Sequence, residues 1–518
     1  MSLVLLCAAC SGGDQPGVIR PVEGFFGGVA ADEPRAAIAG RDILIAGGSA
    51  ADAAVAVGFT LAVTLPSSAG IGGGGACIAF DGATATPTLI DFPASAPGES
   101  PIAVPAFARG MALLHARHGR MLWSQVLGPA EAAARFGAPV SRALARDLAD
   151  APPELVRDPA SARIFAPAGR LIAEGEPLVQ LDLAGVIGQL RQKGGGEAYV
   201  GLLGRAIADA SAGALPLDGL RGYLPQASSP ATIRINQQQQ LVLVGESAAT
   251  TALLGHLLAL ATQLSPGAAD GPRFWAEGGA ASEGQLAEAL PRGTAALVPQ
   301  GAELQALAAR VRAGSHQRPA KSLGPVGTAR AGASAFFTVD KNGLAVACAL
   351  GMNAPWGTGK VLGGTGILAA PPPSLESPRA AGAIVVAPGS GVFYLAATAS
   401  GRAAPAALAQ VAWPVISDRQ RVDLAIDQPR VVYDGVADLA RVEPGTAQES
   451  LNRGGLRSAE AGPIGVVNAF SCPGELNRGR GDSCEPAADP RGAGLAFGGS
   501  GIRTRSSNFG GTSRHSAP

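Results

Sequence analysis

Charge is scarce in this chain: of its 518 residues only 15% are Asp, Glu, Lys or Arg, and 40 basic residues cancel 40 acidic ones. No run of Lys and Arg interleaved with aromatics appears, so there is no stripe to follow a phosphate backbone, and nucleic acid is excluded as a partner class. The 73 Gly and 40 Pro suit a loop-rich globular protein and argue against a coiled coil. Apart from the first ten residues, no unbroken apolar stretch reaches the roughly 20 residues that a membrane span needs. Histidine numbers only five. His115 and His118 stand three apart with no acidic residue between or close after them, which is not a metal-ligand set, and no cluster implies a metal or an organic cofactor. A GxSxG elbow is also missing, which leaves little support for a Ser-His-Asp triad.

Six cysteines are present. Cys7 and Cys10 belong to the opening MSLVLLCAAC, a short apolar run followed by the polar SGGDQPG. It looks like the end of a bacterial lipoprotein signal, cut so that Cys10 carries lipid and attaches the chain to a membrane; it lacks the basic residues of a full signal, and a disordered cytosolic N-terminus is the alternative. Cys77 and Cys348, in the apolar runs ACIAF and LAVACAL, read as small buried thiols without a catalytic role. Cys472 and Cys484 lie twelve apart in SCPGELNRGRGDSC, a spacing that suits a disulfide closing a small surface loop. A zinc site is the rival for that pair, but without His neighbours it is half a ligand set. A disulfide there points to an oxidising compartment, the periplasm or cell envelope of a bacterium.

A chain of this length folds as several domains or as one large multilayer domain. From about residue 30, ADEPRAAIAGRDILIAGG reads as a helix with Asp32 as N-cap, Pro34 in the first turn and Gly47-Gly48 ending it. Ser49 caps a second helix, with Asp52 completing a capping box, and that helix runs through Val63 to stop before Pro66. Then come the cluster Gly72 to Gly75 and a strand. Helix, glycines, strand is the reverse of a dinucleotide-binding loop, so the glycines read as close backbone approach inside a sheet. Residues 106–265 are mainly helical by pattern, and 266–325 read as loop-rich. SAFFTVD, LAVACAL, GAIVVAP and VFYLAATA read as strands, PAALAQVAWPVI and DLAIDQP as helical pieces, and the Gly/Ser-rich tail from about 497 as disordered.

GRDILIAGGSAADAAVAVGFTLAVTLPSSAGIGGGGACIAF resembles the opening of gamma-glutamyltranspeptidases, and the resemblance continues through LIDFPASAP, VPAFARGMALLHARHG, LAVACALGMNAPWGTGKVLGGTGIL and AADPRGAGLAFGG. It implies an α+β fold, the four-layer αββα sandwich of N-terminal-nucleophile hydrolases. It also implies a precursor that cuts itself ahead of a Thr or Ser, whose freed α-amino group then serves as base for its own hydroxyl. The segments expected are a leader (1–20), a large-subunit-like part (21–333) and a small-subunit-like part (334–518), giving two chains from one precursor.

Counted back from Asp340, the family's nucleophile position is Ala333, and the next residue is Ser334. Ala333 cannot attack; Ser334 can, if the cut falls just before it, and otherwise it is only a small residue opening a strand. Asn353 stands where relatives have a substrate-holding asparagine. Ser400 and Gly401 stand where two backbone N–H groups form the oxyanion hole. Departures are as plain. Pro93 replaces the arginine that clamps the glutamyl carboxylate, Leu375 stands near the acidic residue that receives the glutamyl amine, and Gly351 replaces a supporting threonine. Proline cannot imitate a bidentate arginine grip, so glutathione is a doubtful substrate. The sequence leaves two readings: a self-processing hydrolase of an amide or peptide, or an uncut, silent pseudoenzyme acting as a binding or structural lipoprotein at the envelope.

Overall fold

A computed structural model describes residues 22–499, apart from 23, 83, 268–270, 293–294, 314–315, 324–325, 327–331, 375–376, 378–379, 388–390, 400, 477–480 and 482. The expected leader with Cys7 and Cys10, together with Leu375, Ser400 and the tail from residue 500, lies outside the described residues.

The strands that build the two main sheets are β1 (Gly27–Ala31), β2 (Gly74–Asp81), β3 (Thr86–Phe92), β4 (Gln226–Ser228), β5 (Ala231–Arg234), β6 (Gln240–Gly245), β7 (Ala333–Asp340), β8 (Ala345–Gly351), β9 (Ala380–Ala387), β10 (Gly391–Ala399), β11 (Val466–Leu476), β12 (Glu485–Ala487) and β13 (Leu495–Gly498). The helices that matter below are α1 (Pro34–Ile45), α2 (Ala50–Thr64), α3 (Phe107–His118), α4 (Arg142–Ala149), α5 (Ala248–Leu264), α6 (Gly271–Ala289), α7 (Gly301–Ala313) and α8 (Ala404–Ser417).

Seven strands form the first sheet in the order β13-β1-β7-β8-β2-β3-β4, and six form the second in the order β12-β11-β10-β9-β6-β5. Side chains alternate across a strand, and β7 uses both faces. Ala335, Phe337 and Val339 enter the core between the sheets with Ile384, Leu395 and Phe470. Phe336 faces the other way into the core formed with α1, α2 and α3. A third core packs α5, α6 and α8 on the far face of the second sheet. The layers are therefore helix, sheet, sheet, helix, the αββα sandwich expected from the resemblance.

Helix α2 is buried along its whole length, which its unbroken apolar sequence requires. Its capping box is formed: Ser49 Oγ accepts from the Asp52 N–H, and Asp52 accepts from the Ser49 N–H. Thr338 Oγ donates to the Ala50 carbonyl at 2.7 Å and the Ala50 N–H donates to Asp340 at 3.1 Å, which fixes the helix over β7.

Several expectations need correction. The N-cap of α1 is Glu33, whose carboxylate accepts from the Ala36 N–H at 2.9 Å and from the Thr64 hydroxyl at 2.8 Å. Asp32 is thereby free to point elsewhere. The stretch 266–325 holds two helices, α6 and α7; its glycines mislead because Gly278 lies against Leu257 and Leu260, and Gly279 against Tyr433, where small residues let helices pack closely. Within the stretch read as mainly helical, 226–245 forms strands β4 to β6, and β6 pairs with β9 inside the second sheet. Finally, Cys77 and Cys348 are directly opposed on β2 and β8 and form a disulfide. Cys472 and Cys484 form the second one, although Cys472 sits fully buried on β11 rather than in a surface loop. Phe497 and Gly498, at the start of the expected tail, pair with β1.

Among the described residues no helix is long and apolar enough to cross a membrane. No group of three or more His, Cys, Asp or Glu that could hold a metal ion occurs among them either.

Candidate active site

The start of β7 is held by the loop that follows α2. The Gly332 N–H donates to the Ser67 carbonyl at 2.9 Å and to Ser68 Oγ at 3.2 Å, and the Gly332 carbonyl accepts from the Met352 N–H at 2.9 Å. Gly332 has φ +96°, a conformation that a side chain would strain. Ser67 is itself anchored, its hydroxyl donating to Asp147 of α4 at 2.5 Å.

Beside this junction is a small cleft of about 50 Å³, room for little more than water, lined by Asp32, Leu65, Ser68, Ala143, Arg146, Asp147, Ala333, Ala399, Val466, Gly492 and Ala493. Ala333, which the sequence resemblance puts at the nucleophile position, lines it. Ser334 is fully buried and turns its hydroxyl to Asp32, donating to Oδ2 at 3.0 Å.

Asp32 follows β1 directly and collects donors from both sheets. Its Oδ2 also accepts from the Ala335 N–H at 3.1 Å, and its Oδ1 accepts from the Asn468 amide of β11 at 3.0 Å. Asn468 Oδ1 in turn accepts from the Asp489 N–H at 3.2 Å. Asp489 accepts from the buried Arg430 guanidinium at 2.6 Å and from the Val467 N–H at 2.8 Å. Ser334, Asp32, Asn468, Asp489 and Arg430 thus form one continuous buried chain of hydrogen bonds. Burial is the main influence on the Asp32 carboxyl and pushes its pKa up to about 6; the hydrogen bonds from Ala335, Ser334 and Asn468 oppose the rise, and the negative charge of Asp489 adds to it.

The other residues singled out from sequence fall around this centre. Gly401 opens a short 3₁₀ turn after β10 with φ +63°, two residues past the cleft-lining Ala399. Ser400, its expected partner in an oxyanion hole, lies outside the described residues. Asn353, at φ +60°, donates its amide hydrogens to the carbonyls of Ala94 and Pro371 at 2.9 and 2.8 Å. It thereby braces the segment after Pro93, which is itself exposed. His115 takes part in the α2 cap network, 3.3 Å from Asp52, and reaches the Met121 carbonyl at 3.1 Å.

Asp32, Asn468, Ser67, Ser68, Arg146 and Asp147 are absent from the sequence-based list of candidates. An acidic residue before a helix looks like a cap, and nothing local in the sequence tells that Asn468 lies across the sheets from it.

Comparison with known proteins agrees with this architecture. The profile of the family described as Gamma-glutamyltranspeptidase matches residues 36–272. The glutathione hydrolase proenzyme of Escherichia coli (strain K12) is 28% identical over 396 residues, which span 69% of this chain and 68% of that one. The capsule biosynthesis protein CapD proenzyme of Bacillus anthracis is 34% identical over 208 residues, 39% of this chain and only 38% of that protein's length. Among solved structures, a cephalosporin acylase from Bacillus halodurans shares the fold with a TM-score of 0.70 at 19% identity, covering 95% of this chain and 99% of that one. Taken together, the matches make the chain similar to gamma-glutamyltranspeptidases over residues 36–272, and similar in fold to a cephalosporin acylase across nearly its whole length.

Proposed function

We propose that this protein is a self-processing amidohydrolase or acyltransferase that cuts itself between Ala333 and Ser334 and uses Ser334 as nucleophile. The observation that carries the reading is the Ser334 hydroxyl at the head of β7, already donating its hydrogen to a carboxylate at 3.0 Å. A hydroxyl with a bound proton acceptor is the usual state of an activated serine. After cutting, the Ser334 α-amino group would act as its base, the backbone N–H groups of Ser400 and Gly401 would hold the oxyanion, and Asn353 would border the acyl pocket. The substrate class is an amide or peptide, as the names of the glutathione hydrolase and acylase relatives suggest, with an acyl group other than glutamyl because Pro93 offers no carboxylate clamp. The two disulfides favour the periplasm or cell envelope.

One observation favours a second reading, an uncut pseudoenzyme with a binding or structural role at the envelope: the side chain lining the cleft at the family's nucleophile position is the methyl of Ala333. Intact mass and reducing gels of the wild type and a Ser334→Ala variant separate the two. A fragment beginning at Ser334 in the wild type alone supports the hydrolase; a single whole chain in both, after long incubation, supports the pseudoenzyme.

A further inference from the structure

Before cutting, Ser334 has no free amine. Its nitrogen is held in the peptide bond to Ala333, so the group that would serve the mature enzyme as base is not available for self-cleavage, and that step needs another proton acceptor. We infer that Asp32 is the general base of chain cleavage, taking the proton of Ser334 Oγ as that oxygen attacks the carbonyl carbon of Ala333. The inference rests on the reading of Ser334 as nucleophile.

The steps balance. The Oγ–H bond breaks toward Asp32 Oδ2 while the new bond forms between Oγ and the Ala333 carbonyl carbon. The tetrahedral centre collapses with loss of the C–N bond, and the proton on Asp32 returns to the departing Ser334 nitrogen. An ester now joins Ala333 to Ser334 Oγ. One water molecule hydrolyses it, leaving a carboxylate on Ala333 and a free amine and hydroxyl on Ser334.

Placement and surroundings suit the task. Oδ2 is 3.0 Å from Ser334 Oγ, within the reach a general base requires. Asn468 is a positioning residue: it occupies Oδ1 and leaves Oδ2 to face Ser334. Of the charged groups around Asp32, Glu33 is turned away to the α1 N-terminus and Thr64. Asp489 is matched by Arg430 and Arg491, and Arg146 and Asp147 share the cleft. A desolvated carboxyl that titrates at about 6 is ionised at neutral pH yet basic enough to accept a proton. If Asp32 serves only to satisfy the Ala335 N–H at the strand, cutting will not follow its titration.

The test is a time course of cutting, by reducing gel and intact mass, for the full chain made by cell-free translation as wild type, Asp32→Asn and Ser334→Ala. The wild-type rate should climb as pH rises through about 6 and then level off. Asp32→Asn should slow cutting at least about 100-fold with an unchanged circular dichroism spectrum, and Ser334→Ala should stay whole. Wild-type speed in Asp32→Asn, or a wild-type rate flat from pH 5 to 8, overturns the role of Asp32 while leaving Ser334 in place. A wild type that never cuts, or a Ser334→Ala chain that cuts at the same bond, overturns both. Should Asp32→Asn misfold, the wild-type pH profile decides alone.

Discussion

Cys77 and Cys348 are bonded to each other across strands β2 and β8, 271 residues apart in sequence and on opposite sides of the proposed cut before Ser334. The bond therefore spans the junction between the two chains that the proposed cut would make. On a denaturing gel without reductant, a cut protein should still run as one species, and reductant should release two. Two bands without reductant would show that the bridge does not form. In the uncut chain the same bond closes a long loop, so a Cys77→Ala, Cys348→Ala double variant in a Ser334→Ala background should lose on the order of 4 to 5 kcal/mol, read from denaturant midpoints.

Asp32 gives the fold a pH dependence whose sign follows from its raised pKa. The folded protein holds a proton on Asp32 up to about pH 6, whereas an unfolded aspartate releases it near 3.8. Stabilisation from that bound proton is fully present below the unfolded value and is lost as pH rises through about 6, a swing of roughly 3 kcal/mol. In a Ser334→Ala background, where no cutting intervenes, unfolding midpoints should fall between pH 4 and 6. Adding Asp32→Asn should remove that part of the slope. An identical slope in both proteins would mean that Asp32 does not titrate in this range.

How far the sequence carries depends on whether a signal is local. The Ser49 and Asp52 capping box, the glycines feeding β2, and the apolar runs of β7 to β10 are local patterns and are legible directly. The αββα layering is legible through the ordered family resemblance. Helix α6 is hidden because its Gly and Ala residues look like loop composition; only packing against Leu257, Leu260 and Tyr433 explains them. The disulfide of Cys77 and Cys348 depends on strand register, which single strands do not encode. Asp32 is misread for a similar reason: Glu33 takes the cap, and the partners of Asp32 stand 302 and 436 residues away.

Arg430 and Asp489 form an ion pair with both side chains shut off from water, at 1% and 0% exposure. Arg430 also donates to the carbonyls of Ile426, Ile464 and Gly465, so the guanidinium ties two further backbone segments to Asp489. Removing Arg430 leaves the buried Asp489 with only the longer contact to Arg491, at 3.3 Å, as its cationic partner. Arg430→Ala should cost about 3 to 5 kcal/mol in chemical denaturation, whereas Arg421→Ala, on an exposed pair with Asp423, should leave the denaturation midpoint nearly unmoved. Equal losses would show that the buried chain of hydrogen bonds has no special weight.

In the proposed reading, Pro93 and Asn353 together bear on which acyl group the protein would accept. A glutamyl group carries both a carboxylate and an ammonium, and binding it requires a cationic fork and an acidic partner. Proline supplies no donor at position 93, and the Asn353 amide hydrogens are already given to Ala94 and Pro371. A glutamyl carboxylate brought there would meet neither a cationic fork nor a free amide donor, which is a penalty against binding it. An uncharged acyl group meets no such penalty. For the cut protein, kcat/KM on a gamma-glutamyl anilide should therefore fall at least about tenfold below that on an uncharged acyl anilide, which corresponds to 1.4 kcal/mol or more in the transition state. A preference for the glutamyl substrate would mean that another cation, with Arg146 at the cleft the first to test by substitution with Ala, has taken over the missing clamp.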